Sequence, residues 1–139
     1  MTIPVWVLLG FAGWTLIILS LSVGVYRWSR ILTGRQGIGE FDAAGTGGAD
    51  WYKRALRAHA NCVENLPVYG AIVFAAYSAR LDDPFLDTLA CVFLAARVIQ
   101  SLIHISLAQT DKVVSARFSF FFVQFACMAL MGIHVATAA

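Results

Sequence analysis

Charge is what this sequence has least of. Only 13% of its 139 residues are Asp, Glu, Lys or Arg, against about 25% in an ordinary soluble domain. Hydrophobic residues make up 60%, and the mean hydropathy is +0.75. A domain of this size leaves much of its area outside, so it cannot bury that much apolar surface. A soluble enzyme is therefore excluded, and the hydrophobicity excludes intrinsic disorder. The formal net charge of +2 is too small for a nucleic-acid binder, and no nucleic-acid partner is expected. Cysteine is sparse. Cys62, Cys91 and Cys127 form no C-x-x-C or C-x-x-C-H spacing, so no metal site or haem attachment is indicated. Their plain reading is as small apolar packing residues, with Cys62 and Cys91 near opposite membrane faces and so unsuited to a mutual disulfide. No internal repeat is present. The run Gly45-Thr46-Gly47-Gly48 lacks the Gly-Lys-Ser/Thr ending of a phosphate loop and a strand before it. What remains is an integral membrane protein.

Four crossings are expected, forming an all-α, integral membrane four-helix bundle in a single domain over 1–139. Ile3 to Tyr26 is 24 residues without a charge, about 36 Å of helix and enough for a hydrocarbon core of about 30 Å. Met1-Thr2-Ile3-Pro4 has neither Lys nor Arg and no A-x-A site follows, so a membrane span is preferred to a cleaved signal peptide. A third span runs over about 84–108 and a fourth over about 115–137. The second is the polar one. Leu66 to Ala79 gives only 14 apolar residues, so that helix must begin near Arg57 and carry His59, Asn61 and Glu64 into the membrane. Between the first two spans, 29–50 holds six of the eleven glycines and reads as a flexible loop.

Charge bias sets the orientation. Arg27, Arg30, Arg35, Lys53, Arg54 and Arg57 flank the first connection, and Lys112 and Arg117 the third, whereas the second has Arg80 against Asp82, Asp83 and Asp87. Both termini are then outside and the basic connections cytoplasmic. Trp6 and Tyr26 are placed as interface anchors at the two ends of the first helix, with Trp28, Trp51 and Tyr52 marking the cytoplasmic boundary.

Ionisable groups at membrane depth cost several kcal/mol by insertion scales and mark functional sites by default. Arg54, Arg57, Asn61 and Glu64 are spaced three, four and three apart and share a helical face. Arg97, Gln100 and His104 do the same in the third span, and Gln124 in the fourth lies on the side of Arg117. A plainer reading stands beside this one: Arg97 with Glu64 could simply fasten helices, with Asn61 and Gln124 as interhelical glue. Against it, a clasp needs one pair, and the two helices line up Arg57, Asn61, Glu64, Arg97, Gln100 and His104. Arginines above a carboxylate suit a small, mostly anionic molecule with an ammonium group, Arg taking carboxylates through its planar fork and Glu64 the ammonium. The adjoining apolar helix surface could admit a hydrophobic second ligand. His134 is read as an interfacial histidine, and Ala71, Ala75 and Ala79 as a small-xxx-small contact face.

The run Arg54-Ala-Leu-Arg57-Ala-His59-Ala-Asn61-Cys-Val-Glu64-Asn65-Leu-Pro67 resembles the signature of the MAPEG family, membrane-associated proteins in eicosanoid and glutathione metabolism. Its pattern, R-x-x-R-A-x-x-N-x-x-E-x-x-P, is filled at every position. The length, the four expected helices, the long first loop and Arg97 agree. The resemblance implies a homotrimer with glutathione as co-substrate between subunits. Arg54, Arg57, Asn61, Glu64 and Arg97 would hold it, with Gln100 and His104 beside them. It also implies a thiolate stabilised by an arginine near the third connection, for which Arg117 and Lys112 are the candidates, attacking a lipophilic electrophile or hydroperoxide that arrives through the bilayer. Family members that bind glutathione often carry tyrosines, or a histidine and a tyrosine, where this chain has Gln100 and His104, and some carry a tyrosine near Phe120.

Two functions follow as expectations. One is a membrane-embedded glutathione-dependent transferase or peroxidase. The other is a non-catalytic lipid-binding or scaffold protein, which the absent tyrosines favour. A four-helix multidrug exporter ranks behind both, because such exporters use a carboxylate in the first helix and Ile3 to Tyr26 has none. The location expected is a multi-pass membrane protein, in the plasma (inner) membrane if the protein is bacterial.

Overall fold

The computed structural model describes residues 1–42 and 47–139. Four long helices account for most of them, and no strand occurs among the described residues. We label them α1 (Ile3–Leu32), α2 (Asp50–Ser78), α3 (Pro84–Ser106) and α4 (Asp111–Ala138). By length and composition α1, α3 and α4 are apolar enough to cross a membrane. The second helix has the length but carries Asp50, Lys53, Arg54, Arg57 and Glu64, and it is held as the fourth member of the bundle by packing against α1, α3 and α4.

The sequence sets where each helix starts. Pro4 stands in the first turn of α1 and Pro84 in that of α3, where a missing N–H costs nothing and the fixed φ suits a helix. Asp83 caps α3, its Oδ1 accepting from the N–H groups of Phe85 at 3.0 Å and Leu86 at 3.1 Å. The Thr110 hydroxyl accepts from Val113 N at 3.3 Å and caps α4.

Three boundaries differ from the sequence reading. The second helix begins at Asp50 rather than near Arg57, adding two turns that carry Lys53 and Arg54. The fourth starts at Asp111 rather than near 115, so Lys112 lies on a helix rather than in the connection. The first does not end at Tyr26. It passes through a π-helical stretch, Ser20–Arg27, and returns to α-helix over Trp28–Leu32. The Ser20 and Ser22 hydroxyls donate back to the carbonyls of Leu16, Ile18 and Leu19 at 2.9–3.2 Å. Such back-bonding and the presence of Gly24 weaken the regular ladder and favour a wider turn. Part of the span read as flexible loop is therefore helix, and Ile38–Glu40 adds a 3-10 turn. The Gly45-Thr46 part of the glycine run lies outside the described residues.

The core is aromatic at its centre. Tyr69 of α2 stacks on Phe93 of α3 at 4.4 Å, and Phe11 of α1 meets both rings edge-on, at 6.3 and 5.3 Å. All three are fully buried, and Tyr69 Oη donates to Pro4 O at 3.3 Å. Cys62 and Cys127 are buried packing residues, whereas Cys91 is exposed; all three are free thiols. The outer surface is apolar where a bilayer would touch it, with Leu16, Ile17, Phe74, Phe122, Phe125 and Ile133 exposed. The α3–α4 pair packs most extensively, which matters for the site because that pair carries Gln100, His104, Arg117 and Gln124.

Candidate functional site

The end of α1, the start of α2, the end of α3 and the start of α4 meet at the basic end of the bundle. A cleft of about 260 Å³ opens there, lined by Asp50, Lys53, Arg54, Arg57, His104, Leu107, Ala108, Gln109 and Arg117. Each wall has a local cause. Asp50, Lys53, Arg54 and Arg57 follow one another at helical spacing on the first turns of α2. Arg54 Nε donates to Ile105 O at 3.0 Å, meeting one of the carbonyls that the last turn of α3 leaves without a partner. His104 is 4% exposed, and its ring makes no hydrogen bond among the described residues. Arg117 reaches in from the second turn of α4, its backbone carbonyl accepting from Gln100 Nε2 at 3.1 Å.

Four cations face one carboxylate in this cleft, and that carboxylate is occupied: Asp50 Oδ1 pairs with Lys53 Nζ at 3.2 Å. The excess positive charge in a partly enclosed recess favours an anion, and guanidinium forks suit carboxylate or phosphate partners.

The other residues singled out in the sequence fall into two groups. Asn61 is half-buried and Glu64 exposed on the same flank of α2, one and two turns from Arg57. Glu64 forms no ion pair with Arg97, so the plain clasp between these two is not made within the chain. The Asn61 side chain makes no interhelical bond either; its carbonyl accepts from Asn65 Nδ2 at 2.8 Å. Arg97 and Gln100 are interior. Arg97 is 1% exposed, its guanidinium stands 5.7 Å from the Phe11 ring centre, and Nε and Nη2 have no hydrogen-bond partner among the described residues. The Gln100 amide is committed to Arg117 O and to Gln124, whose Nε2 donates to Gln100 Oε1 at 2.9 Å. Lys112 is exposed and does not line the cleft. Of the two candidates for thiolate stabilisation, the fold brings only Arg117 to the site.

Two charged residues that the sequence reading does not assign to the site line the cleft, Asp50 and Lys53, together with Leu107, Ala108 and Gln109. The signal for the charged two is their spacing, since Asp50 precedes Arg54 and Lys53 precedes Arg57 by four residues, one helical turn. Two histidines lie away from the cleft. His59 Nδ1 lies 3.3 Å from Thr15 O on α1. His134 Nε2 pairs with Asp83 Oδ2 at 3.0 Å at the opposite end of the bundle.

An all-helical bundle with three membrane-competent helices and an arginine-lined cleft at its basic end defines an integral membrane protein with a basic cleft. The chain belongs to the MAPEG family, whose model matches residues 4–137. It is thus a membrane protein of the family that serves glutathione and eicosanoid metabolism. No curated protein and no solved structure gave a significant match.

Proposed function

We propose that the protein is a glutathione-dependent transferase or peroxidase acting on lipophilic electrophiles or hydroperoxides, with Arg117 stabilising the thiolate. One observation carries this reading: Arg117 converges with Arg54, Arg57 and His104 on a single cleft, although it lies 60 residues beyond Arg57 in the chain. The cleft is slightly below the usual lower limit of about 300 Å³ for small-molecule pockets. It takes the thiol end, while the rest of the tripeptide extends along the flank of α2 carrying Arg57, Asn61 and Glu64. Glu64 lies about 10 Å deeper than Arg57 and receives the ammonium group; the carboxylates go to the guanidiniums.

The chemistry follows from charge. A free thiol has a pKa of about 8.5, and adjacent cations lower it toward neutrality. The thiolate attacks an electrophilic carbon, forming C–S and expelling the leaving group with its electron pair. With a hydroperoxide it takes the distal oxygen, giving a sulfenic acid and an alkoxide that picks up a proton; a second thiol then forms the disulfide and releases water. The lipophilic partner enters from the apolar helix surface beside the cleft.

A homotrimer belongs to the same proposal. Arg57 and Glu64 are exposed on the single chain, and charges on the outer flank of a membrane bundle are costly unless protein or water covers them. A neighbouring copy supplies that cover and the second wall of the tripeptide site.

The test is ultraviolet thiolate absorbance as glutathione is added to the detergent-solubilised protein. A saturable signal that Glu64→Gln weakens supports the reading. Binding without thiolate, or no consumption of thiol with any electrophile, would favour the non-catalytic lipid-binding or scaffold alternative. The observation on that side is Gln100, a buried amide engaged with Arg117 O and Gln124, where glutathione-binding members of the family often carry a tyrosine hydroxyl.

A further inference from the structure

The fourth helix carries one amide side chain, Gln124, and it is completely buried. Its Nε2 donates twice, to Gln100 Oε1 at 2.9 Å and to Phe120 O at 2.9 Å. Gln100, 6% exposed on α3, donates in turn to Arg117 O at 3.1 Å. The direction of this chain is forced. Backbone carbonyls only accept, so Gln100 must present its NH₂ to Arg117 and its oxygen to Gln124. Gln124 must then present its NH₂ to Gln100, and its second hydrogen meets Phe120 O. Each amide orientation is thus fixed by a carbonyl of α4, and the pair has one consistent arrangement.

Its position links it to the cleft. His104 lies four residues beyond Gln100 on the same face of α3, and Arg117 lies seven before Gln124 on α4. The amide pair therefore sits just below the point where these two helices become two walls of the cleft. We propose that Gln124 and Gln100 are positioning residues: together they clamp the Arg117 turn of α4 against α3 and so fix where the Arg117 guanidinium stands. This deepens the glutathione reading and rests on it.

The opposing possibility is that the pair only fastens two helices. Hydrogen exchange and thiolate titration, each on the intact protein in detergent, separate the two. Gln100→Met keeps length and apolar volume while removing the donor to Arg117 O. Faster amide exchange over residues 111–121 is expected, together with a rise of about 0.5–1 unit in the pH midpoint for the thiolate of bound glutathione, which is about a three- to tenfold loss of thiolate at fixed pH. Turnover falls by a similar factor with the KM for glutathione nearly unchanged. Gln124→Met moves both readouts the same way. In an Arg117→Ala background, adding Gln100→Met shifts the midpoint no further, since the guanidinium through which it acts is gone.

Unchanged exchange over 111–121 would overturn the clamp. Faster exchange with an unmoved midpoint, or a shift that persists without Arg117, would leave a structural fastening and overturn the positioning role. If the unsubstituted protein gives no thiolate signal, the glutathione reading fails, and the positioning role fails with it.

Discussion

Replacing Arg117 by alanine tests the central electrostatic claim. A sphere of 260 Å³ has a radius of about 4 Å, so a sulfur held in the cleft lies within roughly that distance of the groups lining it. Two opposite unit charges 4 Å apart interact by about 1 kcal/mol in water and about 4 kcal/mol at an effective dielectric constant of 20. Arg117 is half-buried, which places its effect between these limits. At 1.36 kcal/mol per pH unit, Arg117→Ala should raise the thiolate midpoint of bound glutathione by about 1–2 units. The thiolate present at neutral pH then falls about tenfold or more, and turnover with it. Glutathione affinity changes much less, because Arg54 and Arg57 still hold the carboxylates. The assay is thiolate absorbance against pH, run beside steady-state turnover. Lys112→Ala is the internal control, since that side chain does not line the cleft and should leave the midpoint in place. An unmoved midpoint in Arg117→Ala, or an equal shift in Lys112→Ala, would refute the assignment.

Glu64→Gln should weaken glutathione binding by about tenfold, near 1.4 kcal/mol, with an unchanged Tm, because the carboxylate is exposed and makes no ion pair among the described residues; isothermal titration and a melting curve check both. At the far end, the N–H of Leu86 and then His134 hold the Asp83 carboxyl below the usual carboxylate range. That contribution is present above the unfolded value of about 3.9 and disappears as pH falls through the lower folded value. Asp83→Ala should therefore lower Tm at pH 7, with the gap to the unsubstituted protein closing in acid, while Asp83→Asn keeps the helix cap and loses less. Gly48 has φ +97°, and a Cβ there would stand 2.8 Å from Tyr26 Oη and 2.9 Å from Tyr52 Cδ1. Gly48→Ala should break the Tyr26–Tyr52 stack and cost clearly more than Gly34→Ala, where φ is +71° but the space is open and only the backbone cost of about 1 kcal/mol applies. Comparative thermal melts decide this, and equal losses would contradict the steric argument.

How much was legible in the sequence depended on whether the signal was local. Long uncharged runs gave the helices because chain in hydrocarbon must satisfy its backbone internally. Residues three and four apart had to share a face, which brought Arg97, Gln100 and His104 together on α3 before any fold was known. The same rule failed at Asp50 and Lys53. A polar helix start among glycines carries no hydropathy signal, and those two turns are held by neighbours: Tyr52 stacks on Tyr26 at 4.0 Å and takes a hydrogen bond from Arg27. The π-helical stretch was equally hidden, since serine and glycine in an apolar run do not announce a change of helical pitch.

Composition and the order of the apolar runs determined that this chain belongs in a membrane and that it forms four long helices, and residue spacing determined which polar groups share a helical face. Those are consequences of solvation and helical geometry, and both are written residue by residue. The tertiary structure decided which cations meet. It separated Arg117 from Lys112, which the sequence left as equal candidates, because only one of them faces the α3 wall when α4 starts at Asp111. It also turned Gln100 toward Arg117 O and Gln124. A helical face is fixed by spacing, but what that face meets depends on the rotation and register of a second helix, and those are set by packing across the whole bundle.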